Sequence, residues 1–185
     1  FCLSLSVSLA SSAHQVTLIT GNKLPEYLNE LPFQSLSIPE STNRLTRKLG
    51  FDYLNPNTMR IFKRHLVTIR PEVLHFHSIY GLSTALVAIG TKFCPVIITI
   101  HDGWLAFVDS GIVNPLFGLA NSFYNVPHGY IHRKINRHFL RGATLVSPSN
   151  WMRDFFKGAG FQSPIHIPNG LKPRGPTTTY QNMLL

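Results

Sequence analysis

Short runs of apolar, often β-branched residues recur along the chain: "QVTLIT" at 15–20, "VLHFHS" at 73–78, "VIITI" at 96–100, "TLVSPS" at 144–149 and "IHIP" at 165–168. Each has strand length, and near-continuous apolarity suits strands buried on both faces of a parallel sheet. "FQSLSIP" at 33–39 is a weaker strand candidate. Between these runs the period changes to that of a helix. Met59, Phe62, Leu66 and Ile69 recur at spacings of three and four and build one apolar stripe over 59–69. Residues 82–93, "LSTALVAIGTKF", are apolar almost all round, as in a helix packed tightly on a sheet. Over 130–141, Ile131, Ile135 and Phe139 fall on one side and Arg133, Lys134, Arg137 and Arg141 largely elsewhere. Ser149 is placed to N-cap a helix over "NWMRDFFKGAG", closed by Gly158 or Gly160.

Strand and helix in alternation predict an α/β layer fold with a mainly parallel sheet and right-handed crossovers. The tail "KPRGPTTTYQNMLL" loses periodicity and holds Pro173, Gly175 and Pro176, so it reads as a linker leading to a further domain. No internal repeat or low-complexity tract is evident.

A length of 185 residues with 44% hydrophobic content supports one domain with a real core. The charged fraction of 14% and the 13 Phe argue against intrinsic disorder. Basic residues outnumber acidic ones by 17 to 8, which favours anionic partners: phosphates, anionic lipid surfaces or nucleic acid. Nucleic-acid binding needs a reading motif as well as charge, and none is found. Cys2 and Cys94 stand far apart with no repeated spacing, which predicts free thiols rather than a disulfide framework or a cysteine zinc site. The opening "FCLSLSVSLASSAHQ" imitates a signal peptide but lacks an initiator and a basic flank. No uninterrupted apolar run reaches the roughly 18 residues of a membrane span.

Ligands of open α/β sheets sit outside the carboxyl ends of the strands. Three of these ends carry polar groups: His75, His77 and Ser78 on one, His101 and Asp102 on the next, Ser147 and Ser149 on a third. The stretch "PVIITIHDGWLAF" is the most informative, because a buried strand runs directly into an imidazole, a carboxylate and the indole of Trp104.

Taken in order, "HQVTLIT", "RPEVLHFHSIYG", "CPVIITIHDGW", "ATLVSPSNWMRDFF" and "PIHIPNGL" resemble the amino-terminal half of the family 4 glycosyltransferases over residues 1–172. The resemblance implies one half of a two-domain GT-B architecture: an α/β, Rossmann-like, mainly parallel sheet with helices on both faces. It implies a retaining transfer of sugar from a nucleotide-sugar donor to a glycan or lipid-linked hydroxyl acceptor, in polysaccharide, lipopolysaccharide or glycolipid synthesis. Family members begin with a strand and a glycine-rich loop, whereas this chain is expected to start inside the helix that follows. They continue into a donor-binding domain, which 173–185 would introduce, so the chain by itself is expected to be catalytically inert. No cofactor is implied. The expected location is cytoplasmic, at most peripheral on the inner face of the membrane.

Residue by residue, the "T-x-H-D" segment Thr99 to Asp102 matches the family, where the histidine corresponding to His101 faces the interdomain cleft. His101 is the candidate catalytic residue, able to donate a hydrogen bond or to move a proton. Asp102 binds an acceptor hydroxyl or caps its loop, and Trp104 stacks on a sugar or packs in the core. Ser78, Tyr80 and Gly81 are expected to shape the start of the next helix, where backbone N–H groups would meet an acceptor or phosphate. Ser149, Asn169 and Gly170 are assigned to the cleft, with Asn169 and Gly170 forming a tight turn. The basic helix at 130–141 is either a solvated face or a contact to anionic membrane. His75 and His77 share one side of a strand, which raises a metallohydrolase as a rival, although the Asp-His that would complete a two-metal pattern is missing. A glycan-binding module without chemistry is the second alternative.

Overall fold

The structure, a computed structural model, describes residues 2–21, 31–39, 52–106 and 127–170. The expectation for the tail 173–185 lies outside the described residues. Helix α1 (Cys2–Ser11) leads through a left-handed Ala13 to strand β1 (Thr17–Thr20), which pairs in parallel with β2 (Gln34–Ser37). Four further parallel strands follow in sequential order, β3 (Leu74–Phe76), β4 (Val96–Thr99), β5 (Thr144–Ser147) and β6 (Ile165–His166). Helices α2 (Pro56–Ile69), α3 (Ala85–Gly90), α4 (Pro127–Phe139) and α5 (Asn150–Gly158) alternate with them. This is the expected α/β order, with parallel sheets flanked by helices.

Local chemistry sets the helix ends. Asn55 caps α2 by accepting the Thr58 N–H at 3.2 Å, Pro56 occupies the first turn, and Arg70 closes the helix in a left-handed conformation. The buried Thr58 hydroxyl donates to the Pro39 carbonyl and so ties α2 to the end of β2. Ser149 caps α5 as its position predicts, accepting from Met152 N at 3.2 Å.

Helix α3 is shorter than the apolar run that announces it. Gly81 and Ser83 both take positive φ, 80° and 124°, so the chain cannot become helical before Thr84. The Ser83 hydroxyl holds this turn by donating to the Tyr53 carbonyl at 2.7 Å.

The stripe Phe62 and Leu66 of α2 meets Leu86 of α3, with Ile19 of β1 and Leu74 and Phe76 of β3 packed against the same cluster. A second cluster joins Val96 and Ile98 of β4 and Leu145 of β5 to Met152 and Phe156 of α5 and to Trp104, Leu105 and Ala106.

The orientation of α4 departs from expectation. Ile131 is 55% exposed, whereas His132, Arg133 and Asn136 are buried at 4%, 8% and 0%. The helix presents a polar stripe inward and leaves one of its predicted core residues in solvent. The physical reason is that the surface it covers offers backbone carbonyls to be satisfied, not only apolar area to be filled.

Candidate functional site

Because β3 to β6 all run in parallel, their carboxyl ends share one edge of the sheet. That edge collects His77, Ser78 and Tyr80 from β3, His101 and Asp102 from β4, Ser149 from β5, and Asn169 and Gly170 from the segment after β6.

The sheet register decides which of these residues meet. Leu74 pairs with Val96, His75 with Ile97 and Phe76 with Ile98. Side chains two residues apart share a face, so Leu74 and Phe76 turn toward the core while His75 and His77 turn to the other side. Each histidine reaches two places beyond the residue opposite it. His75 Nε2 is hydrogen-bonded to the Thr99 hydroxyl at 2.8 Å, and His77 Nδ1 lies 3.2 Å from His101 Nε2. The rings form a stack, with centroids 4.1 Å apart between His75 and His77 and 5.5 Å between His77 and His101.

Three imidazoles in contact disfavour positive charge. Desolvation, followed by repulsion from His75 and His101, pushes His77 down to about 4. Burial also lowers His75, with His101 adding to the effect. Burial lowers His101, and Asp102 offsets part of that shift. Burial raises the Asp102 carboxyl, while the Trp104 N–H and His101 pull it back. Near neutrality the edge therefore presents neutral imidazoles that donate and accept hydrogen bonds, with His101 among the exposed ones.

Asp102 accepts the Trp104 N–H at 3.2 Å, so its carboxylate closes the loop in which it lies. Trp104 is 5% exposed and belongs to the core, with the Tyr80 ring centroid 5.5 Å from its own in a T-shaped arrangement. Tyr80 itself is 45% exposed and offers an aromatic surface at this edge, while Ser78 is exposed and Gly81 is buried in its left-handed turn.

Two expectations need correction. The backbone N–H groups at the start of α3 do not face outward: Thr84 N donates to Asp52 O at 2.9 Å, Ala85 N to Tyr53 O at 3.1 Å, and Leu86 and Val87 N to the carbonyls of Ser83 and Thr84. Residues 52–53 consume donors that sequence alone leaves open for a phosphate. Gly170 does not take the left-handed conformation expected of its turn; among the described glycines the left-handed ones are Gly81, Gly142 and Gly160. The space around Gly170 is open, with no heavy atom within 4 Å of an added Cβ, so neither packing nor backbone conformation requires glycine there.

Sequence reasoning places His101 correctly at a strand end but misses Thr99 as the partner of His75, and misses His132 and Asn136 beneath the Trp104 loop. The available signal for the second pair is two polar residues four apart on the helix, each preceded by an isoleucine. Among the described residues no group of three or more His, Cys, Asp or Glu is arranged to hold a metal ion, and no helix is long and apolar enough to cross a membrane. Cys2 and Cys94 are free thiols.

Among known families, the model described as Glycosyltransferase Family 4 matches the chain over residues 1–174. No curated protein matches the chain.

Proposed function

Since the chain belongs to glycosyltransferase family 4, we propose that it forms the acceptor-side wall of a retaining transferase, which moves a sugar from a nucleotide-sugar donor to a hydroxyl of a glycan or lipid-linked acceptor. The observation that carries this reading is the convergence of His77 and His101 at the carboxyl edge of the sheet, inside the span matched by the family.

In this proposal His101 holds the reacting end of the donor. A neutral, exposed imidazole donates a hydrogen bond to a hydroxyl or phosphate oxygen and does not itself need to carry charge. Tyr80 and Ser78 offer an aromatic face and a hydroxyl to the acceptor on the neighbouring strand end, and Ser149, Asn169 and Gly170 border the same cleft. Asp102 and Trp104 contribute by shaping the loop. A donor-binding domain closing over this edge would exclude water and orient the two reactants, so that positioning and electrostatics supply most of the acceleration. The excess of basic residues suits phosphate-bearing substrates, and the exposed Lys134 and Arg137 of α4, with Arg141 just beyond its end, suit peripheral contact with anionic lipid in polysaccharide or glycolipid synthesis.

The test is sugar transfer by the full-length protein from UDP-, GDP- and TDP-sugars, with the anomeric configuration of the product read by NMR. His101→Ala is expected to lower kcat by about 100-fold. A normal rate in that variant removes His101 from the reaction, and an inverted product overturns the retaining assignment. A binding module would instead take up acceptor with no transfer from any of these donors.

A further inference from the structure

Helix α4 turns a polar stripe toward the interior, and the two side chains at its centre, His132 and Asn136, are one helical turn apart. His132 Nε2 lies 2.7 Å from the Trp104 carbonyl, and Asn136 Nδ2 donates to the Leu105 carbonyl at 2.8 Å. Because a carbonyl only accepts, His132 carries its proton on Nε2, which leaves Nδ1 to accept the Tyr53 hydroxyl at 2.6 Å. The two nitrogen donors stand side by side, 3.0 Å apart, each aimed at its own carbonyl of two consecutive residues. Tyr53 is fixed in turn at its own backbone, where its carbonyl accepts the Ser83 hydroxyl and the Ala85 N–H.

We propose that His132 and Asn136 are positioning residues for the transfer site: together they clamp the backbone at Trp104 and Leu105, and thereby set the loop that delivers His101 and Asp102 to the sheet edge. The proposal rests on the reading of that edge as the transfer site. Burying an imidazole and an amide in an otherwise apolar interface costs stability unless their hydrogen bonds are made. Asn136 bears such a cost, since its Oδ1 is buried with no hydrogen-bond partner. The arrangement is therefore expensive as packing but specific as a clamp. Among the described residues the loop is also closed by local bonds, from Trp104 N to Asp102 and from Ala106 N to the Gly103 carbonyl at 2.9 Å. The chain from Tyr53 through His132 to Trp104 also links the turn carrying Gly81 and Ser83 to the His101 loop, so that neighbouring parts of the edge hold a common geometry.

The test compares Tyr53→Phe, His132→Leu, His132→Gln and Asn136→Ala by amide hydrogen exchange and by sugar transfer in the full-length protein. Tyr53→Phe removes one hydroxyl and keeps the ring, which guards against simple failure to fold. The expected result is roughly tenfold faster exchange at Trp104 and Ala106, the equivalent of one lost hydrogen bond, with exchange at Ile98 and Thr99 unchanged. His132→Gln, which keeps an N–H donor, is expected to restore much of the protection lost in His132→Leu. In transfer, kcat is expected to fall by about tenfold or more while the KM for the nucleotide sugar holds. Unchanged exchange at Trp104 and Ala106, or an increase spread equally over β4, overturns the clamp and leaves the transfer-site reading intact. A loosened loop with normal transfer overturns the positioning role alone, whereas the reading of this edge as the transfer site falls with a normal rate in His101→Ala.

Discussion

The His77 Nδ1 atom lies 3.2 Å from His101 Nε2, across adjacent parallel strand ends, and His101 helps to lower the titration of His77. The contact is diagonal: by continuation of the register His77 stands opposite Thr99, and leans along the strand direction to reach the next residue on the same face.

This pair makes stability depend on pH. A histidine of the unfolded chain titrates near 6.5, whereas burial and its neighbours push His77 down to about 4, with His75 and His101 lowered as well. Between 6.5 and about 4 the unfolded chain holds protons that the folded chain does not, so stability is fully present above that window and is lost as the pH falls through it. The raised Asp102 carboxyl acts in the opposite sense, since the folded state takes up that proton first. Three imidazoles against one carboxyl give a net loss. Thermal unfolding followed by circular dichroism is expected to show Tm falling across this window, and falling less in His77→Asn. An equal fall in both proteins would remove His77 from the effect.

Gly90 ends α3 in close contact with the sheet. A Cβ there would stand 2.8 Å from Leu74 Cδ1 and 3.1 Å from Val96 Cγ2. Gly90→Val is expected to cost about 1–3 kcal/mol, as overpacking of a filled core does, while Gly90→Ala costs less because the Leu74 terminus can rotate away. Urea denaturation of both variants measures the difference.

Ser149 caps α5 through its side chain, and its own carbonyl accepts the Ser147 hydroxyl at 2.8 Å. Ser149→Ala removes the cap and is expected to lower stability by about 1 kcal/mol, with Ser149→Asp restoring it. Equilibrium unfolding of the two variants checks the order. Equal stability of Ser149→Ala and the parent would show that the cap contributes nothing.

The elements were readable from sequence wherever a single local rule governs them. The stripe Met59, Phe62, Leu66 and Ile69 marks α2, and Ser149 marks the start of α5, because helical period and capping involve only residues within one or two turns. The strand ends bearing His77, His101 and Ser149 were readable for the same reason. Local rules failed at α4, where Ile131 was expected inside and Arg133 outside, because hydrophobicity does not register that a neighbouring loop needs donors. They failed again at Thr84 and Ala85, whose N–H groups are taken by residues 52–53, distant in sequence.

By itself, then, the sequence determined the alternation of strands and helices, the parallel edge and the family motif around His101, since these follow from side-chain period and the chemistry of strand ends. Only the tertiary structure decided that His77 touches His101, that Trp104 packs inward while Tyr80 faces out, and that His132 and Asn136 grip the loop between them. Those contacts join residues separated by two dozen positions or more, or depend on how a helix is rotated against its neighbours. Register and rotation are fixed by the balance of burial and hydrogen bonding over the whole fold, which no short window of sequence contains.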